Sequence, residues 1–149
     1  MRLGRRTLIV GLIVAVALCS SLVLASAFVK TSRTQGRAEV KVGEEFKLGV
    51  GRSAALKGGG LEVEFVSVVE DSRCPRGAEC IWEGNARISL RLKRPRESPA
   101  EIELNTNLEP QRSSCLGYEV RLIGLSPYPV ANEALDKKRY VAALEVRKL

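Results

Sequence analysis

Apolar residues recur at every second position through most of this chain, and no segment shows a convincing helical spacing. Leu61, Val63, Phe65, Ser67 and Val69 fall on one side of an extended segment, with Glu62 and Glu64 on the other. That is the period of a strand with one face buried. Val66 and Val68 then join the second face, so the far end of this strand is expected to be covered on both sides. Ala86, Ile88, Leu90 and Leu92 alternate with Arg87, Ser89, Arg91 and Lys93 in the same way. The pattern returns at Phe46, Leu48 and Val50, at Tyr118, Val120 and Leu122, and at Tyr140, Ala142, Leu144 and Val146. Shorter strands are expected at Arg52–Leu56 and Glu101–Leu104, the latter with Ile102 and Leu104 inward.

Turn chemistry separates these runs. Val42-Gly43-Glu44 marks a turn, and Gly58-Gly59-Gly60 predicts a hairpin turn, since glycine accepts dihedrals other residues avoid. Arg94–Pro99 carries two prolines, and Ser126-Pro127-Tyr128-Pro129 halts a strand because proline cannot donate to a ladder. Asn105–Ser114 reads as polar loop, and Ala131–Arg139 as a polar segment with room for one helical turn. The expectation is an all-β fold, an antiparallel β-sandwich of seven or eight short strands following an N-terminal hydrophobic segment. If Glu101–Leu104 pairs with Ala86–Lys93, glutamates of one strand face arginines of the other.

The N-terminus stands apart from this domain. Arg2, Arg5 and Arg6 precede Thr7–Val29, a stretch without a single charged residue. It is long enough to cross a bilayer, which takes roughly 20 apolar residues, and the arginines orient it with the N-terminus inside. Three readings compete: an uncleaved anchor, a signal peptide cut near Ala27 after Ala25-Ser26-Ala27, and a lipoprotein acylated at Cys19, where Leu18 matches the required small residue poorly. All three place the domain outside the cytoplasm. The division expected is 1–29 as anchor or signal, 30–37 as a polar linker, and 38–149 as the folded domain. The net charge of +7 falls to +4 once Arg2, Arg5 and Arg6 are set aside. That is a mild excess, suited to solubility near an anionic envelope, and no argument for nucleic acid.

One stretch, Glu70–Gly84, concentrates the unusual residues: two of the four cysteines, the only tryptophan and several acids. Cys74 and Cys80 enclose Pro-Arg-Gly-Ala-Glu, and outside the cytoplasm such a pair is expected to be bonded. A bridge closing so short a loop stabilises by ~2 kcal/mol on chain entropy, so its main effect is to fix local shape. A zinc site would want four ligands, whereas the chain has no histidine and Cys115 is the only other cysteine of the domain; a three-thiolate site with Cys74, Cys80 and Cys115 stays as an alternative. A redox pair would want the shorter Cys-x-x-Cys spacing before a helix. Cys115 itself is expected to be a plain buried thiol. Glu70, Asp71, Glu79 and Glu83 offer oxygen ligands of the kind calcium takes, but Arg73 and Arg76 lie among them, and a salt-bridged loop is the simpler expectation. Trp82 has two readings: a core residue packed on the disulfide, which is preferred, or an exposed anchor for a partner. Asp71, Arg73, Arg76 and Trp82 are the candidate interaction residues of this loop. No catalytic residue, cofactor or metal ligand is assigned.

Asp71-Ser72-Arg73-Cys74-Pro75 followed by Cys80-x-Trp82-x-Gly84 resembles a motif of small exported bacterial proteins of unknown function. The lead-in Val66–Glu70, the strand Ala86–Leu92, the Pro127-Tyr128-Pro129 turn and the closing Tyr140 strand are similar to that family's layout. The resemblance implies an N-terminal export signal or lipoprotein anchor and a small β domain. It implies no activity, and Cys115 is not part of it.

Chemistry is poorly represented. There is no histidine for acid–base or metal work, and no nucleophile elbow, phosphate loop or dinucleotide fingerprint. The expectation is a non-enzymatic extracytoplasmic binding or structural module at the bacterial cell surface, its partner another protein or an envelope polymer. The alternatives are an inhibitor of an extracellular hydrolase presenting the Cys74–Cys80 loop with Arg76 at its tip, and a metal-handling protein using cysteine thiolates.

Overall fold

The structure, a computed structural model, describes residues 38–149; the expectations on the N-terminal segment and the linker lie outside them. Nine strands form two sheets. They are β1 (Ala38–Val40), β2 (Glu45–Gly49), β3 (Ser53–Leu56), β4 (Glu62–Asp71), β5 (Ala86–Lys93), β6 (Ala100–Asn105), β7 (Arg112–Cys115), β8 (Tyr118–Ser126) and β9 (Val141–Lys148). One sheet has the order β1-β3-β4-β5-β6 and the other β2-β9-β8-β7. The all-β sandwich expected from the alternation is therefore the fold. Among the described residues the only helical element is one 3-10 turn, Lys137–Arg139, within the segment expected to hold one. No helix there is long and apolar enough to cross a membrane.

The core lies between the inner faces. Val63, Phe65, Ile88, Leu90, Leu92, Leu104, Val120, Leu144 and Val146 are fully buried. They are the inward positions of the alternating runs, and each such side chain stabilises by roughly 1.5–3 kcal/mol. The outer face of β4, β5 and β6 carries the expected cross-strand charge ladder. Arg91 pairs with Glu101 at 2.7 Å and Glu64 at 3.4 Å, Lys93 with Glu64 at 2.6 Å, and Arg87 with Glu103 at 3.4 Å. The Lys93 hydrogen bond outweighs partial burial and holds the Glu64 carboxyl below its usual range.

Three details differ from the alternation. Strand β7 runs through what reads as polar loop: Arg112-Ser113-Ser114-Cys115 has no apolar period, and its place is fixed by pairing with β8 from Cys115↔Tyr118 to Arg112↔Arg121. Strand β1 is an added edge, and its pairing with β3 is parallel, against the antiparallel pairing of the other named strands. In β4, register shifts between Phe65 and Ser67 and between Val68 and Glu70 change the inward set. Val68 is buried, and Val69, expected inside, is 41% exposed. A bulge adds a residue to one strand and so exchanges its two faces beyond that point.

The topology sends two long connections to one end of the sandwich. The link from β4 to β5 (72–85) and the link from β8 to β9 (127–140) emerge there, and the link from β6 to β7 (106–111) joins them. This end is the loop pole.

Candidate functional site

The loop pole is built on Asp71 and Arg73. Arg73 is 4% exposed, and its fork is almost fully used. Nε donates to Asp71 Oδ1 at 2.8 Å and Nη2 to Asp71 Oδ2 at 2.6 Å, a bidentate pair. Nη1 donates to the Leu125 carbonyl at 2.6 Å and Nη2 to the Pro127 carbonyl at 3.1 Å. The guanidinium also lies 4.8 Å from the centre of the Tyr128 ring, within cation–π range. Asp71 accepts two further bonds, from the Arg73 backbone N–H at 3.2 Å and the Tyr140 hydroxyl at 2.7 Å. One buried ion pair thus ties the exit of β4 to the end of β8 and the start of β9.

The electrostatics follow. Burial alone would raise the Asp71 carboxyl; hydrogen bonds from Arg73 and Tyr140 outweigh it and hold the group below its usual range. Burial would likewise lower the Arg73 guanidinium, and the pairing with Asp71 raises it. Burial and the hydrogen bond to Asp71 together raise the Tyr140 hydroxyl to about 12. The carboxylate is ionised and its acceptors are occupied, so this cluster is structural and not a poised acid or base.

From this base the loop rises with its two strands still paired. Ser72 N–H and its hydroxyl donate to the Asn85 carbonyl at 2.7 and 3.0 Å, and Cys74 N–H donates to the Glu83 carbonyl at 2.8 Å. Gly84 sits opposite with φ +73°, where a Cβ would collide with the Ser72 carbonyl; only glycine permits so close an approach. Cys74 and Cys80 are bonded, with their Cα atoms 6.0 Å apart, as the spacing predicts. The bond accords with an oxidising, extracytoplasmic compartment. It also occupies two of the three thiols the metal-handling alternative required. Among the described residues no three His, Cys, Asp or Glu side chains converge as a metal site. The calcium candidates Glu70, Asp71, Glu79 and Glu83 do not come together either.

The neighbouring connections grip the loop. Arg76 N–H donates to the Pro129 carbonyl at 2.9 Å and the Ala131 N–H donates to the Arg76 carbonyl at 3.0 Å, forming a parallel bridge between Arg76 and Val130. On the other side the Asn107 amide donates to the Gly84 carbonyl at 2.6 Å, and the Asn85 amide to Asn105 Oδ1 at 2.8 Å. Three connections form one bonded platform.

The four candidate interaction residues therefore part company. Asp71 and Arg73 turn inward and are architecture. Arg76 is exposed, but its backbone is bridged to Val130 and its side chain lies 5.5 Å from the Tyr128 ring, so it is docked on the platform and is not the loop's tip. Trp82 is the tip. The preferred expectation of a core tryptophan is overturned: Trp82 is 58% exposed and its neighbour Ile81 wholly so. The reason lies in the pairing, because Cys74–Glu83 and Ser72–Asn85 hydrogen bonds extend the ladder and lift residues 76–83 clear of the core. Ile81 went unremarked in the sequence, although a β-branched apolar residue beside the tryptophan and between two glutamates belongs to no alternating run. Tyr140 and Tyr128 were also missed as partners, since only the fold brings them to the loop. Cys115 is a free thiol, half-buried against the core and not fully inside it.

Two surface depressions of about 300 Å³ each lie away from the tip. One, lined by Ala55, Leu61, Glu62, Lys93 and Arg94 among others, is at the opposite end of the sandwich; the other, lined by Lys47, Leu125, Val141 and Ala143 among others, is on the outer face of the second sheet. No protein-family model matches the chain, and no curated protein or solved structure matches it.

Proposed function

We propose that the domain is a non-enzymatic extracytoplasmic binding module at the cell surface, and that its contact element is the Ile81–Trp82 tip. The observation that carries this is the exposure of a tryptophan and an isoleucine at the summit of a loop that is stapled, hydrogen-bonded at both feet and seated on a buried ion pair. A flexible loop loses conformational freedom when it binds; one held this way has little left to lose. Tryptophan is the residue most favoured at contact hot spots. The uncharged Thr7–Val29 segment supplies the attachment to the cell membrane.

A photo-crosslinking residue in place of Ile81, in the full chain in living cells, is expected to give an adduct. The same group in place of Lys57, in the exposed β3–β4 turn at the opposite pole, should give none. Equal labelling at both positions, or none at Ile81, would overturn the reading.

The stapled loop also supports a second reading, inhibition of an extracellular hydrolase. In that case Ile81, not Arg76, is the residue offered to the enzyme, and slowed turnover by one member of a panel of secreted proteases and lysozymes is the sign that would favour it.

A further inference from the structure

The raised segment 77–83 carries two carboxylates, Glu79 and Glu83, on either side of Ile81 and Trp82, and no cation. Both acids are exposed, and among the described residues neither carboxylate has a partner. A surface that fits this tip is apolar at its centre and basic at its border. The depression on the outer face of the second sheet meets that description. Gly124, Leu125, Ser126, Val141 and Ala143 line it, and Lys47 is its only charged lining residue. Its volume of about 300 Å³ is at the low end of those that hold small ligands. Ile123, thrown out by the register shift between Leu122 and Gly124, adjoins it and is 43% exposed. The depression at the opposite end of the sandwich fits less well, because Glu62 stands in its lining with Lys93 and Arg94.

The strand register places further charge at its border. Lys47, Ala143 and Gly124 face one another across β2, β9 and β8, and the next outward row is Glu45, Glu145, Arg121 and Arg112. Glu145 is taken by Arg147 at 2.7 Å. Arg112 and Arg121 stand directly opposite each other, both exposed, and like charges so placed repel. On the outer face of the first sheet each arginine of β5 has a glutamate within 4 Å. Among the described residues Arg112, Arg121 and Lys47 have no such partner. The whole face holds four cations, Lys47, Arg112, Arg121 and Arg147, against three carboxylates, Glu45, Glu119 and Glu145. It is basic on balance, and the tip is acidic.

We infer that the tip's partner is a second copy of this chain: Ile81 and Trp82 of one molecule seat in the depression of another, and Glu79 and Glu83 meet Lys47 and Arg121. This rests on the reading of the tip as a contact element and names what it touches. The two halves of the contact match in apolar character and in sign of charge, and one chain carries both. Its own tip does not fill its own depression, since Trp82 is 58% exposed. Tip and depression are separate patches, so each joining leaves one of each free. The copies then either exchange tips in a closed pair or extend in a row. Two seated side chains bury far less than the ~1,600 Å² of a standard interface, so the association is weak and concentration-dependent.

Sedimentation of the full chain in detergent micelles, at concentrations up to about 1 mM where weak contacts populate, tests this. The wild type is expected to associate. Trp82→Asp removes the tip. Ala143→Glu fills the depression, and its carboxylate faces Lys47 across the strands, so the fold should tolerate it; equal denaturant melts check that. Each variant alone should associate about tenfold or more weakly, the loss expected of a contact hot spot. Mixed one to one, they should join again, because one brings an intact depression and the other an intact tip. Recovery on mixing is a result that damage to the fold does not give. A wild type that stays single, association that survives either substitution, or a mixture that does not join overturns the inference. The contact reading is decided separately by the adduct from position 81 in cells: an adduct with a different protein leaves that reading standing and overturns self-association as the tip's role, and no adduct overturns both.

Discussion

Arg73→Met is expected to destabilise the domain by about 3–5 kcal/mol, the cost of leaving one member of a buried ion pair without its partner. Few single substitutions cost more than about 4–5 kcal/mol. The reason is the number of groups that Arg73 serves. Its loss strands the Asp71 carboxylate, which is 10% exposed, and the carbonyls of Leu125 and Pro127. Denaturant melts of wild type and variant measure the difference. Asp71→Leu combined with Arg73→Met should cost less than the sum of the single changes, since the double variant buries no orphan charge.

The dependence on pH has a definite sign. The folded carboxyl of Asp71 lies below its ordinary value of 3.8. Its contribution is therefore present above that pH and lost as pH falls through the folded value. The penalty of Arg73→Met should shrink in the same acidic window. Tyr140 acts at the other end. Its hydroxyl is raised from 10.0 to about 12, so its contribution is complete below pH 10 and disappears as pH rises toward 12.

Gly84→Ala is expected to be the second most damaging change. Alanine in the left-handed region costs roughly 1–2 kcal/mol by itself. At Gly84 the new Cβ would also meet the Ser72 carbonyl and the Arg73 Cα. The backbone at 72–73 must then shift, which draws Arg73 away from its partners. Gly77→Ala is the control. Gly77 has φ +87° but its Cβ would find only an ordinary contact, 3.9 Å from the Ala131 Cβ, so it should show the left-handed cost alone. A Gly84→Ala variant no less stable than Gly77→Ala would mean that the two feet of the loop are not in contact.

The alternating runs made the two sheets legible in the sequence, because each buried strand must satisfy the same inward–outward period. Where a bulge broke that period, as between Phe65 and Ser67, the inward set moved from Val69 to Val68, and no composition rule shows a bulge in advance. Strand β7 was invisible for a different reason. It is a polar edge strand that exists because β8 offers it hydrogen bonds, not because its own residues need burial. The disulfide was readable from spacing and compartment. The fate of the loop's other residues was not. Asp71 and Arg73 are charged, and on sequence alone they belong outside; Trp82 is apolar, and on sequence alone it belongs inside. The fold inverts both. Tyr140 lies far along the chain, yet its hydroxyl completes the acceptors of Asp71, which makes burial of the ion pair tolerable. The ladder beyond β4 and β5 then carries Trp82 out past the core.

This loop is a rigid mount with a free summit. Amide hydrogen exchange of the full chain in micelles, read residue by residue, tests it directly. Ser72, Cys74, Arg76 and Ala131 donate to backbone carbonyls across the platform, and their amides should exchange nearly as slowly as those of the core strands. Those of Ile81 and Trp82 should exchange at once. Fast exchange at all six positions would mean that the loop is a flexible strap that the disulfide merely closes, and not a rigid mount.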